Sequence, residues 1–120
     1  MSNRFSKEHL YDLRNKIKMI SLIIDILELI YKTHDGKFRF MCPLCKDFDS
    51  GVNLKTNLAR CFRCERNFNP IDLVMEVNHY SFVQAVEYLE PILQRIEARE
   101  ARKFVASSAE NGVLEKGKSR

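Results

Sequence analysis

Cysteine occurs at four positions, in two matched pairs. These are Cys42-Pro43-Leu44-Cys45 and Cys61-Phe62-Arg63-Cys64, with fifteen residues between them. No other feature restricts the fold as tightly. Two residues between cysteines let the chain turn so that both sulfurs reach one ion, and a second pair completes the set from the opposite side. Four thiolates at about 2.3 Å form a tetrahedron around Zn2+ and leave no open position. The spacing therefore predicts one structural, non-catalytic zinc ion on Cys42, Cys45, Cys61 and Cys64. Three other readings of the same cysteines exist. Redox-active pairs sit at a strand-to-helix junction in a thioredoxin-like fold, which fits poorly with two pairs in a short chain. An iron or iron–sulfur centre accepts the same thiolates. Four free buried cysteines is the last. His9, His34 and His79 lie outside the cysteine segment and read as surface residues.

A metal staple suits a chain of this size. With 120 residues it makes one domain, and about a third of that length reads as tails. Small domains bury a lower fraction of their surface, and a bound metal offsets the deficit. Hydrophobic residues at 45% and charged residues at 30% exclude wholesale disorder. The first eleven residues are polar and of mixed charge, without the pattern of a signal peptide. The apolar run 19–31 is interrupted by Asp25 and Glu28 and is too short to span a bilayer. It reads as a core helix of a cytoplasmic protein, a setting in which four cysteines favour metal over disulfides.

Ser6 is a candidate cap for a first helix carrying Leu10, Leu13 and Ile17 on one face. The pattern continues through Met19, Ile20, Leu22, Ile23, Ile26, Leu27 and Ile30, with a break near Lys18, and His34-Asp35-Gly36 signals a turn. Residues 37–41 alternate as a strand leading into Cys42, and residues 52–61 form a hairpin turning near Lys55-Thr56-Asn57. Asn69-Pro70 with Asp72 starts a helix ending near Val77. Ser81 and Gln84 make a capping box for another, with Phe82, Ala85, Val86 and Leu89 on its apolar face. Pro91 is expected to bend or restart that helix. The domain is expected to span residues 7–93, followed by a helical extension over 94–106 and a disordered tail over 107–120.

Charge is uneven along the chain. Residues 37–66 carry seven basic and three acidic side chains, whereas residues 67–93 carry four acidic and no basic ones. Lys37, Arg39, Lys55, Arg60, Arg63 and Arg66 surround the cysteines, interleaved with Phe38, Phe40, Phe62 and Phe68. Single-stranded nucleic acid is held by such mixtures, cations tracking phosphates and rings stacking on bases at about 1–3 kcal/mol each. The alternative is that the rings build the core while the cations solubilise it and offset the net charge of about −2 on a four-thiolate zinc. Arg39 and Met41 share one face of their strand and Phe38 and Phe40 the other. The alternation alone leaves open which face is exposed.

The order of these features resembles the N-terminal zinc-binding domain of DnaG-type bacterial and phage primases. The likeness runs over residues 10–93. It is carried by Leu13-Arg14-Asn15-Lys16, the apolar helix after it, Phe38-Arg39-Phe40-Met41-Cys42-Pro43-Leu44-Cys45, Cys61-Phe62-Arg63-Cys64, Asn69-Pro70-Ile71-Asp72-Leu73-Val74-Met75 and Tyr80-Ser81-Phe82-Val83-Gln84-Ala85-Val86. It departs from the family at Cys45, where His is usual, at Asp49-Ser50-Gly51-Val52 in place of Thr-Pro-Ser-Phe, and at Arg63 in place of a small residue. The resemblance implies an α+β zinc ribbon, a small antiparallel sheet flanked by N-terminal and C-terminal helices. It also implies recognition of a single-stranded DNA template in DNA replication or mobile-element replication. Primer synthesis needs a separate polymerase domain with acidic metal-binding residues, and the chain has no room for one. The expectation is thus no catalysis by this chain alone, with a replicative polymerase, helicase or mobile-element protein as partner and no membrane or small-molecule substrate. Lys37, Arg39, Lys55, Arg60, Arg63 and Arg66 are expected to contact phosphates, and Phe62 to stack.

Two rival functions remain. A zinc-ribbon adaptor for a replication or transposition protein would use Asp72, Glu76, Glu87 and Glu90 to dock a basic partner; the plainer reading of these residues is a solvated helix face. An enzyme has little support, because no carboxylate pair, phosphate loop or nucleophile–base pair stands out.

Overall fold

The computed structural model describes residues 5–109, with side chains to residue 102. Helix α1 (Lys7–Lys16) begins where Ser6 accepts the His9 N–H through its hydroxyl at 3.0 Å. The backbone then extends through Ile17 and Lys18, as the expected break requires, before a short α2 (Met19–Ser21) opens into a π-helical turn over Leu22–Ile26. The apolar run does not stay helical to residue 31. Its last turn closes with Leu27 N–H on the Leu22 carbonyl at 2.8 Å, and Glu28 takes a left-handed φ of 53° that reverses the chain. Tyr31 and Thr33, of types that favour strands, then enter β1 (Tyr31–His34).

Five strands form one antiparallel meander in the order β1-β2-β3-β4-β5. Strand β1 pairs with β2 (Lys37–Phe40) across Asp35-Gly36, whose φ values of 53° and 75° suit a two-residue hairpin. Strands β3 (Ser50–Asn53) and β4 (Leu58–Cys61) form the expected second hairpin, and β5 (Arg66–Phe68) adds an unexpected edge strand. Asn53 shapes the turn between β3 and β4 by accepting the Lys55 and Thr56 N–H groups through its side chain.

The helical layer covers one face of the sheet. Helix α3 (Pro70–Asn78) carries a full capping box between Asn69 and Asp72, and α4 (Phe82–Ala109) carries one between Ser81 and Gln84. Pro91 lies inside α4, and the helix continues through it without a restart. Proline removes one helical hydrogen bond, and its ring is tolerated on the exposed side of the helix. The helix runs to Ala109, past the expected start of the tail at Ser107; the remainder of that tail, 110–120, lies outside the described residues. His9 pairs with Glu90 at 2.9 Å and Lys16 with Glu97 at 3.2 Å, so α1 runs parallel along α4.

The core lies between the layers. Leu13, Ile17, Met19, Leu22 and Ile23 meet Phe40, Ala59 and Phe68 of the sheet and Leu73, Val74, Val86 and Leu89 of the later helices, all buried. Truncating a large member such as Leu89 to Ala costs about 2–5 kcal/mol by the usual cavity argument. Asn57 and Ser50 are the buried polar residues among the described ones, and Asn57 joins the two layers. It sits in the β3–β4 turn with φ 58° and is only 7% exposed. Its Oδ1 accepts the Met19 N–H at 2.8 Å, and its Nδ2 donates to the Arg14 and Ile17 carbonyls, each at 2.8 Å. One side chain thereby satisfies the backbone groups left without helical partners between α1 and α2, and it ties the hairpin to the helical layer.

Candidate metal centre and sheet face

Strands β2 and β4 flank β3 and point the same way, so the turns that follow them lie at one end of the sheet. Those turns hold the two cysteine pairs. The knuckles repeat one another closely. Lys46 N–H donates to the Cys42 carbonyl at 2.9 Å, and Glu65 N–H donates to the Cys61 carbonyl at 2.8 Å. Lys46 and Glu65, each directly after a second cysteine, both take left-handed backbone with φ of 64° and 59°. Leu44 N–H points to Cys42 Sγ and Cys64 N–H to Cys61 Sγ, each at 3.3 Å. The first cysteine of each pair is buried, and the second is half-buried.

The four sulfurs lie within 4.8 Å of one another. Across the knuckles Cys45 and Cys61 are 3.7 Å apart and Cys42 and Cys64 are 3.9 Å apart. A tetrahedron of sulfurs at about 2.3 Å from zinc has edges of about 3.8 Å. The donor set and its spacing thus fit one Zn2+ ion, which when bound locks both knuckles together. The chemistry of the sulfurs is consistent with this. Burial opposes ionisation of Cys61, but the Cys64 N–H, the Ser50 hydroxyl and the neighbouring thiols outweigh it and bring Cys61 down to about 6. Burial and then the adjacent sulfurs push Cys64 up to about 12. Cys45 is also raised, its burial and the Cys61 sulfur outweighing the Asp47 backbone N–H. Without metal, four sulfurs this close hold their protons unequally. A bound dication would let all four lose their protons to solvent by offsetting the repulsion among the thiolates. No histidine enters the cluster: His9 pairs with Glu90, His34 is exposed beside Asp35, and His79 caps the end of α3.

The face of the sheet opposite the helices begins at the same end. In the strand register Lys32 pairs with Arg39, Gly51 with Arg60, and Arg60 with Asn67, which makes a polar row across all five strands. Phe62, half exposed just after β4, receives the Arg39 guanidinium at 5.7 Å and the Arg60 guanidinium at 6.0 Å from its ring centre. Arg39 donates to the Phe38 carbonyl at 3.0 Å, and Arg60 donates to Asn67 Oδ1 at 3.2 Å. Gly51 makes room for this arrangement, because a Cβ there would lie 2.9 Å from Arg39 Nη1. Arg39, Lys55, Arg60 and Phe62 line one open concavity, and no acidic side chain is among the described residues lining it.

The remaining expected contacts lie elsewhere. Lys37 stands at the hairpin end of β2, opposite His34 and outside the concavity. Arg63 pairs with Asp47 at 3.2 Å, joining one knuckle to the other, and Arg66 pairs with Glu76 at 3.5 Å. Gly51, Lys32 and Asn67 belong to the row but were not among the expected site residues. An isolated glycine inside a strand was the available signal for the first, since it marks a close approach. Lys32 and Asn67 sit on the two strands that the sequence pattern did not suggest.

Two cysteine knuckles closing one end of a small antiparallel sheet, with helices packed on one side, define a structural zinc ribbon. The family model for the CHC2 zinc finger, the zinc ribbon of DnaG, matches residues 5–104, and the chain belongs to that family. A DNA primase of Buchnera aphidicola subsp. Acyrthosiphon pisum (strain APS) is 29% identical over 91 residues, which cover 74% of this chain and 15% of that primase. All four ligand positions carry sulfur, so a zinc ion here would be held by Cys42, Cys45, Cys61 and Cys64.

Proposed function

We propose that this protein is a zinc-dependent, single-stranded DNA-binding module of primase type that recognises template through the open face of its sheet. The observation that carries the reading is the open concavity that Arg39, Lys55 and Arg60 line together with a half-exposed Phe62, the two arginines lying against its ring. Cations beside an exposed ring are the elements that hold a base and its flanking phosphates. Membership of the primase zinc-finger family gives the reading its biological direction, template recognition in DNA replication or in replication of a mobile element. The module acts in the cytoplasm and without catalysis of its own, alongside a polymerase, helicase or mobile-element protein. Among the described residues no helix is long and apolar enough to cross a membrane.

The adaptor reading is the weaker one. The acidic residues it needs are engaged within the molecule, among them Asp72 in the α3 cap, Glu76 with Arg66 and Glu90 with His9. The direct test is a fluorescence anisotropy titration of zinc-loaded protein against single-stranded oligonucleotides. Salt-dependent binding at micromolar protein is expected, weakened about 5-fold or more by Phe62→Ala, as loss of a stack worth 1–3 kcal/mol requires. Absence of salt-dependent binding at that concentration would sink the proposal.

A further inference from the structure

Ser50 is fully buried, and its Oγ has no hydrogen-bond partner at ordinary geometry. A hydroxyl in that position needs an acceptor, because burial without one is costly. The strand register names the nearest candidate. Ser50 pairs with Cys61 across β3 and β4, and directly paired residues present their side chains on the same face, with Cβ atoms about 4.5–5.5 Å apart. The other residue opposite Ser50, Phe40 on β2, offers no side-chain acceptor. The Cys61 sulfur lies outside the ordinary hydrogen-bond geometry of that hydroxyl.

We infer that Ser50 is a positioning residue of the zinc centre, its hydroxyl donating to the Cys61 sulfur when that sulfur is a thiolate on the metal. Leu44 and Cys64 N–H groups already serve Cys42 and Cys61 in this way, and Ser50 adds a side-chain donor to the cluster. A thiolate on zinc keeps much of its negative charge and accepts such bonds readily. Each donor draws charge from the sulfur, fixes its direction and slows its protonation and departure. Removing partners that orient metal ligands typically costs 10–100-fold in metal affinity.

Ser50→Ala tests this on the full-length chain, by competition for zinc against a chromophoric chelator at constant pH. The expected result is a zinc affinity at least 10-fold weaker, with the circular dichroism of the zinc-loaded variant unchanged. An affinity within about 2-fold of the parent would reduce Ser50 to a packing residue. If the variant does not fold, the wild-type protein loaded with cadmium-113 gives the answer. Protons bonded to a metal-bound sulfur show scalar coupling to the metal, so the Leu44 and Cys64 amides act as internal controls. Coupling to the Ser50 hydroxyl proton is expected beside theirs; its absence while theirs are present overturns the inference.

Discussion

Replacing Asn57 should damage this protein more than replacing most of its apolar core residues. The side chain makes three hydrogen bonds of 2.8 Å to backbone groups of Arg14, Ile17 and Met19, at the extended junction between α1 and α2. Asn57→Ala leaves the Met19 N–H and the Ile17 carbonyl without partners in a buried setting, while the Arg14 carbonyl lies nearer the surface and regains water. Each buried orphan costs about 1–3 kcal/mol, so two give roughly 2–6 kcal/mol. The left-handed backbone at Asn57 adds about 1 kcal/mol against alanine. A total of about 3–7 kcal/mol is a large share of the roughly 5–15 kcal/mol that holds a small domain together. Asn57→Gly separates the two contributions, since glycine accepts the backbone but restores none of the bonds. Asn57→Asp keeps the Met19 bond and sets a carboxylate oxygen against two carbonyls, so it should be no better than alanine. Urea unfolding of the zinc-loaded proteins, followed by far-ultraviolet circular dichroism, measures all three. If Asn57→Gly lies within 1 kcal/mol of the parent, the clamp is not what joins hairpin to helices.

Other consequences can be checked with little more effort. Cys45→His should keep one tightly bound zinc, because imidazole and thiolate both complete a tetrahedron, whereas Cys45→Ala should lose most of its metal by elemental analysis after dialysis. Gly51→Ala should leave thermal stability within about 1 kcal/mol, since the atom it meets is the end of the flexible Arg39 side chain, yet it should weaken single-stranded DNA binding by displacing Arg39 from Phe62. Zinc affinity should fall as pH falls through neutrality. Cys64 and Cys45, both raised, must give up protons to the buffer, while Cys61 at about 6 is already mostly ionised at pH 7; calorimetry in buffers of different ionisation enthalpy should show net proton release. No release would mean the sulfurs are not the ligands.

The parts of this fold that were legible in the sequence are those set by local chemistry. Cys-x-x-Cys spacing specifies a knuckle, and Asn69-Pro70 with Asp72, or Ser81 with Gln84, specifies a helix start, because each works through atoms a few residues apart. The errors fall where distant residues decide. Residues 27–31 carry a helical apolar pattern, but Met41, just past strand β2, donates its N–H to the Ile30 carbonyl at 2.9 Å, and the chain leaves the helix to pair there. Strand β5 has only three residues, too few to show alternation. Asn57 looked like an ordinary turn residue, because its partners lie about forty positions away in sequence. The basic cluster was legible as composition, and only the fold divides it into Arg39, Lys55 and Arg60, which line the concavity with Phe62, and the ion-paired Arg63 and Arg66.

The most direct test of the account joins the metal to the surface it supports. Anisotropy titrations with a single-stranded oligonucleotide, run over a range of salt, should give a slope of log affinity against log salt near −2, from three cations at about 0.7 each. Stripping zinc with a chelator should abolish that binding together with the strand signal in circular dichroism, and returning one equivalent of zinc should restore both. Binding that persisted unchanged after complete zinc removal would contradict the claim that the four cysteines build the surface that holds DNA.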